Sequence, residues 1–257
     1  MFDKTRTALL VAILGGATWF SNVSPAQQHS LAEMPNENQN PFDRIFDGKT
    51  LRGWDGDTNV WRVENGNLVG ETTAEHPLKD NTFLIWRGGV THDFDLTVEY
   101  RLSARGNSGI QYRSVELPDR RWVMEGYQAD IDGHDRHSNG MRYTGQNYEE
   151  KGRGFLALPG QMTRVDAGKR PQVIASFSDS KQLALVIHED GWNEYHLVVS
   201  GHLLVHALNG CVTSIVVDED ASHRRDTGLL GLQVHDGPPM KVEFRNFRFR
   251  SLAGTPN

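Results

Sequence analysis

Between Asp93 and Leu102 apolar and polar residues alternate without a break: Phe94, Leu96, Val98, Tyr100 and Leu102 against Asp93, Asp95, Thr97, Glu99 and Arg101. A period of two belongs to a strand with one buried and one wet face, and a helix cannot satisfy it. Shorter runs of the same kind fill much of the chain: Val60 to Glu64, Asn67 to Gly70, Phe83 to Arg87, Ile110 to Ser114, Trp122 to Ile131, Val173 to Phe177, Glu194 to Ser200, His202 to Leu208, Val212 to Val217, Leu229 to His235 and Lys241 to Arg250. Turn signals at Asn65-Gly66, Ser200-Gly201 and Asn209-Gly210 separate several of them. One segment departs. Leu183, Val186 and Ile187 recur at helical spacing within Ser180 to Glu189, with Ser178 or Asp179 placed to cap the start, so one short helix is expected there. In the last run Val242 and Phe244 are out of phase with Phe247 and Phe249, which predicts a β-bulge near Arg245 or Asn246. Many short strands and one helix describe an all-β antiparallel sandwich or barrel.

Composition narrows the function classes. The net charge of -6 argues against a nucleic-acid partner, which needs clustered Lys and Arg. One cysteine, Cys211, excludes an intramolecular disulfide and a multi-cysteine zinc site, and is expected as a small core residue. At the N-terminus, Lys4 and Arg6 precede an apolar run from Ala8 to Phe20 and a small-x-small exit at Ser24 and Ala26. That order describes a secretory signal peptide over 1–26, and the run is too short for a stable membrane span. The Gln-, Asn- and Pro-rich stretch 27–41 reads as a disordered spacer. A single β-sandwich domain over 42–252 is then expected in a periplasmic or secreted protein.

Nucleophile-elbow, phosphate-loop, dinucleotide and zinc-protease motifs are all missing from the sequence. The run Asp130 to Asp135 looks like a calcium loop but has its glycine at the wrong place and Met141 where a bidentate Glu belongs. His134 and His137 read as solvated loop histidines. What remains is a set of polar residues on the backs of three good strands. Alternation sets Gln111 and Arg113 against Ile110 and Tyr112, Gln128 and Asp130 against Tyr127, Ala129 and Ile131, and Gln233 and His235 against Leu232 and Val234. A plain solvent face leans to Lys, Glu and Thr, whereas amide, guanidinium and imidazole groups suit sugar hydroxyls, which need paired donors and acceptors. The polar stretch from Tyr143 to Glu150 follows the second of these strands and is expected to line one rim of such a site, with Tyr143 and Glu150 as its candidate binding residues.

The motif Phe46-Asp47-Gly48-Lys49-Thr50-Leu51-Arg52-Gly53-Trp54 resembles the opening of the family called domain of unknown function 1080, also described as the 3-keto-disaccharide hydrolase or 3-keto-glucoside lyase/hydratase domain. The similarity continues through Trp61 to Gly66, Asp93 to Leu96, Asn107 to Arg113, Trp192 to Tyr195, Leu208 to Gly210, Gly231 to His235 and Val242 to Phe247. The resemblance implies a concanavalin-A-like, laminarinase/lectin-type two-sheet sandwich whose concave sheet holds carbohydrate. The chain departs from it in one place, with Tyr127-Gln128-Ala129-Asp130 where family members carry Tyr-Glu-x-Gln.

The implied chemistry is elimination rather than ordinary glycoside hydrolysis. A ketone at carbon 3 acidifies the hydrogen at carbon 2; its removal gives an enolate that expels the substituent at carbon 1, and water then adds. One base, a donor or cation at the enolate oxygen, and an acid for the leaving group are enough. On this reading His235 is the proton-abstracting base, Arg113 stabilises the enolate, and Asp130 acts as acid or base, orients His235 or ligates a metal. Gln111, Gln128, Gln233, Tyr143 and Glu150 bind an oligosaccharide or glycoside substrate. No cofactor is required, although a calcium-like divalent cation could serve the same enolate; the sequence supplies no full ligand set for one. The competing readings are a non-catalytic carbohydrate-binding module on the same sandwich and, more distantly, a protein-interaction domain.

Overall fold

The computed structural model describes residues 43–137 and 142–252. The expected signal peptide and spacer lie outside the described residues. The chain forms β1 (Trp54–Asp55), β2 (Trp61–Glu64), β3 (Asn67–Thr72), β4 (Thr82–Thr91), β5 (Phe94–Leu102), β6 (Asn107–Glu116), β7 (Met124–Asp132), β8 (Asn147–Glu150), β9 (Gly154–Ala157), β10 (Gln161–Val165), β11 (Gln172–Ser176), α1 (Ser180–Ala184), β12 (Asn193–Ser200), β13 (Leu203–Leu208), β14 (Cys211–Asp218), β15 (Gly228–Val234) and β16 (Met240–Ser251). Two sheets result. One has seven strands in the order β1-β4-β15-β6-β7-β8-β9, the other nine in the order β11-β10-β14-β13-β12-β5-β16-β3-β2. All pairings are antiparallel except β10 with β14. This is the all-β two-sheet sandwich that the strand pattern predicts, with the minimal helix of a lectin-type fold.

The sheets close on each other through the inward rows that alternation picks out. Phe94, Leu96, Val98, Tyr195, Leu197, Val242 and Phe244 from the large sheet meet Ile110, Tyr112, Tyr127, Ala129, Leu230 and Leu232 from the small one, and all are fully buried or nearly so. Asn65 and Gly66 both take positive φ, as do Asn209 and Gly210, so these two-residue turns have the twist that a hairpin needs. The register of β16 against β5 shifts between Arg245 and Arg248, with Asn246 at φ +55°, and Phe244, Phe247 and Phe249 are all buried as a result. Three expectations change. The helix is five residues, Ser180–Ala184, capped by the Asp179 carboxylate, which accepts from the Lys181 N–H at 2.8 Å. The strand expected from Trp122 begins at Met124, because Trp122 takes φ +58°, outside the strand region. Cys211 is exposed rather than in the core. Among the described residues no helix is long and apolar enough to cross a membrane.

Candidate active site

Because β15, β6 and β7 are neighbours, three polar rows lie side by side on the outer face of the small sheet. Gln111 faces Gln128, Gly109 faces Asp130 and Gly231 faces Gln111. His235, just beyond β15, donates its backbone N–H to the Asn107 carbonyl at 3.3 Å, which seats it at the end of the β6 row. On the far side of β7, Tyr148 stands opposite Gln128, and Glu150 opposite Gly126. Asn81, at the start of β4, reaches Glu150 of β8 at 3.4 Å although four strand steps separate them in the sheet. Strands lie about 4.8 Å apart, so two side chains meet across that span only if the face is concave.

Much of this row is not open to water. Gln111 and Gln233 are fully buried, and Phe83, Ile85 and Met124 pack together beside them. A relay of amides leads out to one carboxylate. Gln111 Nε2 donates to Gln128 Oε1 at 3.2 Å, Gln128 Nε2 donates to Asp130 Oδ1 at 2.6 Å, and Gln146 Nε2 donates to Asp130 Oδ2. Gly109 makes the relay possible. A Cβ there would lie 2.6 Å from Gln128 Cγ and Cδ, so the glutamine can cross β6 only above a glycine.

The open part of the face is a cavity of about 280 Å³. Asp130, Gln128 and Gln146 line it together with Asn107 and His235 from the β15–β6 side and Tyr148 and Phe155 from the β8–β9 side. Asn81, Asp132, His137, Tyr143 and Glu150 complete the lining, and no Lys or Arg is among the described lining residues. Burial pushes the Asp130 carboxyl up to about 7; the Gln128 and Gln146 amides oppose that rise, and the Asp132 and Glu150 charges add to it. Burial also raises Glu150, against the pull of Lys151, His235 and Asn81. His235 Nδ1 is engaged by Asp236, 2.5 Å from its carbonyl and 2.8 Å from Oδ1, which leaves Nε2 for a ligand. The Asn107 side-chain amide makes no hydrogen bond among the described residues. The site therefore pairs a carboxyl poised near neutrality with an imidazole, in a concave pocket walled on one side by aromatic rings.

The sequence model of the 3-keto-alpha-glucoside-1,2-lyase-like domain matches residues 41–250. The chain belongs to this family. No curated protein matches it in sequence. Among solved structures, a protein of Parabacteroides distasonis described as a candidate glycosyl hydrolase is 18% identical and superposes with a TM-score of 0.53 over 82% of this chain and 99% of its own. A protein of unknown function with a galectin-like fold from Bacillus subtilis is 11% identical, with a TM-score of 0.52 over 78% of this chain and 90% of that one. Both likenesses are of fold.

Within this lyase-like domain the structure brings Gln111, Gln128, Asp130, Gln233 and His235 to one face, and Tyr143 and Glu150 to the same cavity. Arg113 is elsewhere, and the expectation that it faces the substrate is corrected. A register shift between Tyr112 and Val115 interrupts the alternation, and Arg113 sits in the bulge at φ +45°. Its guanidinium donates to the carbonyls of His92 and Gly201 at 2.8 Å and to Asp93 Oδ1 at 2.8 Å, which ties the small sheet to the ends of β5 and β12. Gln111 and Gln233 sit beneath the cavity rather than on its lining, so they support the floor.

Gln146 and Tyr148 belong to the stretch expected at the rim, and both line the cavity with Tyr143 and Glu150. Gln146, the second amide on Asp130, lies in the loop before β8, and Tyr148 and Glu150 alternate in phase along β8. Other lining residues escaped the sequence reading, Phe155 and His137 among them. Phe155 follows a Gly-rich turn and is half-exposed. His137 is 3.3 Å from Asp132 and edge-on to Tyr143 at 4.9 Å, so it is not simply solvated. Asp132 itself is committed to the loop: it accepts from the Tyr143 N–H at 2.9 Å, and from the Thr144 N–H at 2.8 Å and hydroxyl at 2.5 Å. With these oxygens taken and both Asp130 oxygens on amides, the side chains do not fit a calcium-like cation, and no described group of three or more His, Cys, Asp or Glu is disposed to hold a metal.

Proposed function

We propose that this lyase-like domain cleaves 3-keto-glycosides by β-elimination followed by hydration, with Asp130 as the general base. One observation carries the reading: a carboxyl pushed up to about 7, fixed by two amides and open to a concave pocket beside an imidazole. A carboxylate of that basicity is matched to removing the hydrogen at carbon 2, made acidic by the ketone at carbon 3. The electron pair left at carbon 2 forms the enolate, and the bond from carbon 1 to its substituent oxygen breaks. His235 Nε2–H gives its proton to that departing oxygen, with Nδ1 held by Asp236. The Asn107 amide is the donor for the enolate oxygen, in place of Arg113. Hydration reverses the proton transfers: water adds at carbon 1, losing its proton to His235, and Asp130 returns a proton to carbon 2. Of the roles expected for Asp130, that of base is the one this reading keeps, and His235, expected as the base, becomes the acid, because burial raises the carboxyl into the working range. The N-terminal pattern at Lys4 to Ala26 supports action outside the cytoplasm.

A binding module needs no such carboxyl, since a buried acid that resists ionisation weakens the fold without helping a neutral sugar bind. The test is incubation with a 3-keto-glucoside beside its unoxidised parent. Glycone release from the ketone alone, lost in Asp130→Asn, is expected; cleavage of the parent, or no release from either, would overturn the proposal.

A further inference from the structure

The aromatic residues of the cavity are arranged as one unit. Gln128, Tyr148 and Phe155 stand opposite one another across β7, β8 and β9, so they project from the same face. Phe155 is two strand steps, about 10 Å along the sheet, from the strand that carries Asp130. A sugar with carbon 2 on Asp130 does not span that distance, whereas the group attached at carbon 1 does. The Phe155 ring is held on both flanks. Its centroid lies 5.3 Å from Tyr148 at an interplanar angle of 65° and 5.7 Å from Tyr143 at 30°. Tyr143 is in turn fixed by its backbone bond to Asp132 and by the His137 ring. Even so, Phe155 is 53% exposed. An edge-strand phenylalanine held by two tyrosines, with an apolar surface still in water at the mouth of a polar pocket, gains from a ring laid on it.

Charge limits what that ring can carry. Asp132 is answered by Arg142 at 3.4 Å and Glu150 by Lys151 at 3.9 Å, whereas Asp130 has no Lys or Arg partner among the described residues and none lines the pocket, so an anionic substituent finds no free cation there and meets the Asp130 charge.

We propose that Phe155, supported by Tyr143 and Tyr148, forms a leaving-group subsite that selects 3-keto-glycosides whose substituent at carbon 1 is a neutral ring, aryl or glycosyl, over those with a small alkyl group. This rests on the reading of Asp130 as the base, which fixes where the cleaved sugar lies. The experiment compares methyl, benzyl and glucosyl 3-keto-glucosides, all alcohol leaving groups, in wild type, Phe155→Ala and Phe155→Trp. In wild type kcat/KM is expected to favour the ring-bearing substrates. In Phe155→Ala the ring-over-methyl ratio should fall about 3- to 10-fold, carried in KM, and Phe155→Trp should restore it. A fall confined to benzyl assigns the subsite to aryl groups, and one confined to glucosyl assigns it to sugars. An unchanged ratio, or a wild type with no preference, overturns the proposal. Calorimetric titration with unoxidised benzyl and methyl glucosides separates this claim from the reaction itself. If the protein turns over no ketone yet binds the benzyl glucoside more tightly, and loses that margin in Phe155→Ala, the subsite stands and the Asp130 reading falls; equal binding of the two glucosides overturns the subsite.

Discussion

The outer faces of the two sheets are built from the same alternation and spend it differently. On the large sheet, strand partners carry opposite charges: Glu243 faces Arg101 with 2.6 Å between them, Arg245 faces Glu99 at 2.7 Å, and Arg250 faces Asp95 at 2.7 Å. Trp192 packs beneath the guanidinium groups of Arg245 and Arg101 at 3.8 and 5.0 Å. These are partly exposed pairs whose neighbours answer their charge, and each contributes about 0–1 kcal/mol. On the small sheet, Gln111 faces Gln128 and Asp130 faces a glycine. No cation answers the carboxylate, so burial raises it instead of a partner lowering it. A sheet face tuned for stability pairs its charges; this one leaves Asp130 without an ion pair among the described residues, and stability is lost there in return for a carboxyl that titrates near neutrality.

The largest expected effect follows from that unpaired acid. Asp130→Asn should lower turnover of a 3-keto-glucoside by about 10²–10⁴-fold while raising stability. Folding lifts the Asp130 pKa from 3.8 to about 7, so the native state holds the proton more tightly than the unfolded chain. Stability is therefore greatest below pH 3.8 on this account and is lost as pH rises through 7. Urea melts at pH 8 should show Asp130→Asn more stable by about 2 kcal/mol, with the gain vanishing near pH 4. The acid limb of the rate profile should run oppositely, rising through pH 7 as the carboxyl ionises.

His206 lies beneath the same site and gives the next effect. It is fully buried on β13, with Nε2 accepting from Tyr112 Oη at 2.9 Å and Asn147 Nδ2 at 3.1 Å, and Nδ1–H donating to the Gln146 carbonyl at 3.2 Å. Burial, against the pull of that carbonyl, lowers it from 6.5 to about 3. The unfolded chain binds the extra proton first, so stability falls as pH drops from 6.5 towards 3. His206→Leu should cost about 3 kcal/mol at pH 7, by leaving buried polar groups unpaired, and should flatten the acid limb of a stability-against-pH series.

Gly109→Ala sharpens the comparison with less damage. The new methyl displaces Gln128 from β6, which removes one of the two amides holding Asp130. A roughly 10-fold drop in kcat is expected, with the acid limb of the rate profile moved to higher pH because a donor that favours the charged form is gone. Smallest of all is Arg245→Ala on the opposite face, which should cost under about 1 kcal/mol in a thermal or urea melt and leave turnover unchanged.

Alternation made the core and the neighbouring polar rows legible because side-chain direction is fixed by strand geometry alone. It failed at Arg113, where one bulge reverses the sense of every residue after it, and a bulge in mid-strand carries no turn residue to announce it. The bulge at Asn246 was readable since two phenylalanine pairs fell out of phase around it. Strands β8, β9 and β10 are four or five residues long and only partly buried, too brief for a period to show, so Phe155 stayed hidden with them. The raised pKa of Asp130 lay further out of reach, as desolvation depends on which loops close over a face.

The position of β16 bears on how the chain is made. The last strand, Met240–Ser251, lies in the interior of the large sheet, hydrogen-bonded to β5 on one side and to β3 on the other. Until it is present, β2 and β3 have no sheet to join, and the edge of β5 is bare. Synthesis proceeds from the other end, so nearly the whole polypeptide must exist before its larger layer can close. Loop closure over such separations is slow. A chain still lacking β16 is thus an open, apolar-edged precursor, and the twelve residues of that strand are the keystone that closes the larger layer.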